Sequence, residues 1–173
     1  MVSSSLIKKL FFPLLFLTAL PGLLPGSAFS QISLTGKQFT VFSGSLEDAV
    51  KTAPVIAIAR PLDRQFSASP TDSPMQVAFK VKELVKGSAP EILDIHMPGQ
   101  TMAFYPSADK DYLIFLSGRR DGAYAILSHS LQTVLAFEIG DGDAVAGRLP
   151  RDWKPFTVSQ VRELIRSAGH QSD

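Results

Sequence analysis

The sequence predicts a mainly β domain: a small closed barrel with a short N-terminal helix and a docked C-terminal helix. Three observations carry this. Short apolar runs such as VIAIA, YLIFLS and AFEI recur between turn signals, the pattern of a many-stranded β domain. The longest strand candidate, Met75 to Lys86, breaks its own alternation at Glu83. The closing stretch, TVSQVRELIRSAG, switches to a helical apolar stripe.

The first thirty residues are read apart from the fold. Lys8 and Lys9 precede LFFPLLFLTALPGLLP, and the small-residue stretch GSAFS follows, the order of a secretory signal peptide. The expected leader is residues 1–30, with Ala28 and Ser30 at the −3 and −1 positions for cleavage before Gln31. Cleavage after Ala28 is the alternative. A membrane anchor competes with this reading. Pro13, Pro21 and Pro25 interrupt the run, leaving it short of the roughly 20 apolar residues of a bilayer span. The chain has no cysteine for lipid attachment and no Arg-Arg pair before the apolar run. A secreted or periplasmic protein is expected, with no membrane insertion after cleavage.

What remains, 31–173, is one domain of roughly 140 residues, enough to bury about two-thirds of its unfolded surface. Loss of Lys8 and Lys9 turns the formal charge of +1 to about −1, so no electrostatic case for nucleic acid exists. With no cysteine, thiol chemistry and disulfide bracing are excluded, and apolar packing must carry the fold.

The elements follow in order. SLEDAVKT opens with an N-cap, Ser45, carries Glu47 and Asp48 in its first turn, and meets Pro54; it predicts a short helix. VIAIA (Val55 to Ala59) is a strand apolar on both faces, as in a wall covered on both sides. PLDRQFSASPTDSP is a loop rich in Pro, Ser and Asp. In Met75 to Lys86, Val77, Phe79 and Val81 alternate until Glu83, after which Leu84 and Val85 take over. One inserted residue, a β-bulge, restores the phase, and bent strands are what small barrels need to turn corners. The other reading ends the strand at Lys82. ILDIHM sets Leu93, Ile95 and Met97 on one face and Ile92, Asp94 and His96 on the other. YLIFLS is again apolar on both faces, SGRRDG reads as a turn, and AYAIL as its hairpin partner. TVLAFEI puts Leu135, Phe137 and Ile139 on one face; GDGD turns the chain and AVAGRL closes the sheet. The C-terminal helix is expected over 157–168. Thr157 and Gln160 form a capping-box pattern, and Val158, Val161, Leu164, Ile165 and Ala168 make the buried stripe.

Catalytic signatures are lacking: there is no GxSxG, HExxH, GxGxxG or GxxxxGK[ST]. His96, His129 and His170 have no metal-ligand spacing. Ser128, His129 and Ser130 are strand neighbours pointing to alternate faces. Asp141-Gly142-Asp143 lacks the further oxygen ligands of a calcium loop and reads as a turn. Asp94 and His96 share a polar strand face roughly 7 Å apart with no nucleophile nearby, which favours an ordinary wet surface. No catalytic residue, metal site or cofactor is therefore expected.

The run of a helix into VIAIARP, then FKVKELVKG with a strand after it, then DYLIFLS, then AFEIGDG before a C-terminal helix, resembles exported bacterial OB-fold-like domains. These are distantly similar to netrin-like and tissue-inhibitor-of-metalloproteinase modules. The resemblance covers roughly 46–145 and implies a five-stranded Greek-key barrel that presents loops to a partner. The metalloproteinase inhibitors use an N-terminal cysteine on the target's zinc; this chain has no cysteine, so that mechanism does not carry over. The expected function is an exported, non-catalytic binding module whose barrel loops contact a protein or envelope component. Met102, Phe104 and Tyr105 are its apolar anchor candidates, and Arg119 and Arg120 its charged ones. The rival classes are a small secreted hydrolase with a loop-borne site and a carrier of an apolar ligand.

Overall fold

The computed structural model describes residues 29–34, 37–62, 75–97, 104, 106–120, 123–130 and 133–169. A hairpin of β1 (Phe29–Leu34) and β2 (Lys37–Phe42) leads into helix α1 (Leu46–Thr52). Then come β3 (Val55–Pro61), β4 (Met75–Lys86), β5 (Ile92–Met97), β6 (Tyr112–Arg120) and β7 (Ala123–Ile126). These five close a barrel in the order β3-β4-β5-β7-β6, with β6 pairing back onto β3. Every seam is antiparallel except β5–β7, which runs parallel through Ile95↔Tyr124 and His96↔Ala125. That is the Greek-key order of an OB-fold, as expected. The short pair β8 (Ser128–Ser130) and β9 (Thr133–Val134) precedes β10 (Ala136–Ile139), which joins the first half of β6, and β11 (Val145–Ala146) borders β10. Helix α2 (Val158–Gly169) ends the described chain.

Two apolar clusters share the wall between them. Inside the barrel, Ala57, Ala59, Phe79, Leu93, Ile95, Ile114 and Leu116 are fully buried. Outside, Ile56, Leu113, Phe115, Leu135 and Phe137 meet α1 through Ala49 and Val50, and α2 through Val158 and Val161. Strands β3 and β6 therefore bury both faces, which is why VIAIA and YLIF lack polar alternation.

The phase break in β4 is real, and double. Register against β3 shifts between Ile58↔Glu83 and Ala59↔Val81, which leaves Lys82 extra. It shifts again between Ile56↔Lys86 and Ala57↔Leu84, leaving Val85 extra. At the strand's end Gly87 takes φ +82, and a Cβ there would lie 2.1 Å from the Pro54 carbonyl oxygen. Only glycine lets the backbone pass so close.

Both helix starts carry the expected caps. Ser45 and Asp48 form a full capping box, and Thr157 and Gln160 exchange bonds of 2.8 and 3.2 Å. The β1–β2 hairpin, on which the sequence carried no expectation, pairs residues 29–34 with 37–42. Three expectations change. The SGRR segment, expected as part of a turn, is strand up to Arg120, which pairs with Ala123. TVLAFEI bends at Leu135 into two short strands, although Leu135 and Phe137 do share the outer cluster with Ile139. In α2, Val158 and Val161 are the deep anchors, while Leu164, Ile165 and Ala168 are half-buried. The expected loop after Leu62 lies, over residues 63–74, outside the described residues.

Candidate functional site

The helices and the C-terminal segment cover the outside of β3, β6 and β10 and reach the second half of β4 through Glu83, Val85 and Lys86; among the described residues they leave the outer wall of β5 and of the first half of β4 uncovered. Alternation sends Val77, Phe79, Leu93 and Ile95 inward, so Ala78, Lys80, Ile92, Asp94 and His96 face out. Two rows cross this wall. Leu62 donates its N–H to the Ala78 oxygen at 2.9 Å, and Ala78 pairs with Asp94. Arg60 pairs with Lys80, which pairs with Ile92. Leu62 is 48 % exposed and Ile92 50 %, high values for large aliphatic side chains.

The cations beside this apolar strip are already answered. The Arg60 guanidinium grips Asp111 with bonds of 2.6 and 2.8 Å, and Lys80 lies 3.3 Å from Glu91. The bond from Arg60 holds the Asp111 carboxyl below its ordinary range. With charges matched locally, the wall carries little net field, and apolar contact is what it offers. Asp94 is exposed and His96 half-buried on this outer face, while Leu93 and Ile95 are fully buried. Among the described residues, no group of three or more His, Cys, Asp or Glu side chains is placed to hold a metal ion.

Phe104 lies between β5 and β6 in the chain. Phe104 packs against the inner cluster and stands edge-on to Tyr112, with ring centroids 5.4 Å apart. The Tyr112 hydroxyl accepts the Ser107 N–H at 2.8 Å, pinning the loop as it returns to β6. Burial raises the Tyr112 phenol above its ordinary value, so it remains a neutral hydroxyl in that contact. Phe104 is thus half-buried and turned toward the core. Met102 and Tyr105 lie outside the described residues. Arg119 and Arg120 end β6, whereas Tyr112, under Phe104, begins it. The structure does not bring Phe104 and the arginine pair together.

Leu62 and Ile92 escaped the sequence reading as contact residues. The signal was present for Ile92, which falls in phase with Asp94 and His96 on the polar side of ILDIHM. Leu62 follows the buried Pro61 beyond the end of its strand, where alternation alone says little. Compared with known proteins, the chain matches no family model, no curated protein and no solved structure.

Proposed function

We propose that this is an exported, non-catalytic binding module, in which the open β4–β5 wall and its flanking loops contact a protein of the cell envelope. One observation carries the reading: Leu62 and Ile92 stand half exposed beside a stretch of barrel wall, on β5 and the first half of β4, that the helices leave uncovered among the described residues. Exposed apolar groups framed by polar ones are the usual anatomy of a recognition patch. The interior supports an external site. Phe79, Leu93, Ile95, Ile114 and Leu116 occupy the lumen side of the wall, and no buried side-chain polar atom among the described residues lacks a partner to receive a ligand.

The test is capture from envelope extract by the mature domain, alongside a Leu62→Glu/Ile92→Glu variant. Both side chains are exposed, so the variant should keep its melting temperature. It should lose at least tenfold of whatever protein the wild type retains. Retention of the same protein by the double variant at equal strength would dismiss the wall as the contact surface.

A further inference from the structure

We infer that the open wall receives a basic side chain, a lysine or arginine on a segment of the partner protein; this rests on the reading of the wall as the contact surface. Its aliphatic stem lies over Ala78, between Leu62 and Ile92, and its charged head meets the Asp94 carboxylate. The placement follows from pairing. Ala78 stands opposite Asp94 of β5, and on its other side the Leu62 N–H donates to the Ala78 oxygen at 2.9 Å. Leu62, Ala78 and Asp94 therefore form one row across the sheet, two inter-strand steps or roughly 10 Å long. Ile92, two residues before Asp94 on the same strand face, stands in the next row opposite Lys80. Ala78 is small and half-buried, whereas Leu62 and Ile92 are half exposed. The row thus has a low middle, aliphatic groups at one end and alongside, and a carboxylate at the other end.

Charge decides what fits there. Arg60 is held by Asp111 at 2.6 and 2.8 Å, and Lys80 lies 3.3 Å from Glu91. Asp94 is exposed and makes no hydrogen bond or ion pair among the described residues. It is the unanswered charge of the row. A free carboxylate beside aliphatic surface is complementary to a side chain with the same two parts. Lysine and arginine pack an apolar stem on such surface while the head stays in water, and an arginine can meet both carboxylate oxygens at once. A wholly apolar segment would cover Asp94 and leave its charge unpaired, at a cost in free energy. An acidic segment would meet like charge. Leu62 and Ile92 supply contact area, and Asp94 selects the partner.

The probe is a library of short random peptides displayed on phage and selected against the immobilised full chain, used as the cell leaves it. Enriched peptides are then synthesised and titrated by fluorescence anisotropy. They should carry a lysine or arginine beside apolar residues. Affinity should fall about threefold in Asp94→Asn, which removes an exposed charge, and about tenfold or more in Asp94→Lys, which turns attraction into repulsion. It should also fall about tenfold in Leu62→Ser/Ile92→Ser, which removes apolar area without adding charge. A peptide whose basic residue is changed to glutamate should regain affinity for Asp94→Lys. Melting temperatures equal to the wild type's confirm that each variant is folded. Peptides that weaken in Leu62→Ser/Ile92→Ser but bind Asp94→Lys as they bind the wild type overturn the inference and leave the wall standing. Peptides indifferent to every variant overturn both. A selection that enriches no basic residue overturns the inference alone, and capture from envelope extract still judges the wall.

Discussion

Arg162 of α2 grips Glu83 of β4 with two hydrogen bonds, Nη2 to Oε2 at 2.8 Å and Nε to Oε1 at 3.1 Å. Unbroken alternation from Val77, Phe79 and Val81 would point Glu83 into the barrel. The extra residue Lys82 turns it outward instead, opposite Ile58, on the side where α2 lies. The second bulge does the same for Lys86. Its Nζ donates to the Val50 and Lys51 carbonyl oxygens at 2.6 and 2.9 Å, at the C-terminal end of α1, where a cation is favoured. The two faults in one strand's alternation give each helix a polar tether to the barrel wall, beside the apolar packing of Ala49, Val50, Val158 and Val161.

The ion pair and the apolar anchors of α2 should differ sharply in worth. Glu83→Ala removes a pair that is largely in solvent, and should cost about 1 kcal/mol or less. Val161 is fully buried, so Val161→Asp should cost at least about 3 kcal/mol by placing an unpaired charge in the outer cluster. Leu164→Asp, half-buried, should fall between them at about 1–2 kcal/mol. Urea unfolding followed by the fluorescence of Trp153 reads all three, since the single tryptophan packs beside Phe137 and Phe156. Equal losses for Val161→Asp and Leu164→Asp would contradict the docking geometry.

Acid should unfold the protein partly through two carboxylates. The Arg60 bond lowers Asp111, and the Ser45 N–H and hydroxyl lower Asp48, from ordinary values near 3.8. A depressed folded-state pKa means the group stabilises the fold above its unfolded value and loses that contribution as pH falls through the folded one. Their contributions are therefore full above about pH 4 and fade below it. Asp111→Asn should lower stability at neutral pH and flatten the acid limb. The check is the urea midpoint measured from neutral pH downward. An acid limb as steep in the variant as in the wild type would remove Asp111 from this account.

Much of this was legible because period-two alternation is a strong signal. It located the bulge near Glu83, set Leu93 and Ile95 against Asp94 and His96, and marked β3 and β6 as walls buried on both sides. The second bulge was hidden, because Val85 is itself apolar and packs against the outer cluster, which leaves no break in hydropathy to see. The β1–β2 hairpin was passed over although Ile32, Leu34, Phe39 and Val41 alternate around Thr35-Gly36, because the apolar and small-residue run read as an expected leader extends up to its beginning. The surface formed by Leu62, Ala78 and Ile92 draws on the residue just past β3, on β4 and on β5, which are brought together only by pairing. A surface of that kind has no signature along the chain.

Two left-handed glycines offer a clean contrast. Gly87 at φ +82 lies against the Pro54 carbonyl, whereas Gly142 at φ +65 has nothing within 4 Å of a built Cβ. Gly142→Ala should cost only the backbone strain, about 1 kcal/mol. Gly87→Ala adds a collision with backbone that cannot step aside, and should exceed it by roughly 2 kcal/mol or more. Thermal unfolding of the two variants decides. If they match, the turn between β4 and β5 has room that this packing denies it.

The last expectation concerns Phe104, an anchor candidate in the sequence that packs instead as a plug against the core. Its ring meets the Tyr112 edge and the inner cluster while remaining half-buried. Phe104→Ala should therefore cost about 2–3 kcal/mol, below the usual 3–5 for an enclosed phenylalanine. Tyr112→Phe removes the hydroxyl that holds Ser107 and should cost about 0.5–1.5 kcal/mol. Because Phe104 packs on the Tyr112 ring rather than on its hydroxyl, Tyr112→Leu is the variant that tests the ring contact. A Phe104→Ala/Tyr112→Leu double-mutant cycle should return a coupling of about 0.5–1.5 kcal/mol. If Phe104→Ala leaves stability intact and its coupling to Tyr112 is nil, the loop is not a plug, and Phe104 returns to the surface as an anchor. If the coupling is found, Phe104 is a packing residue, and the proposed contact surface is left to Ile92 and Leu62.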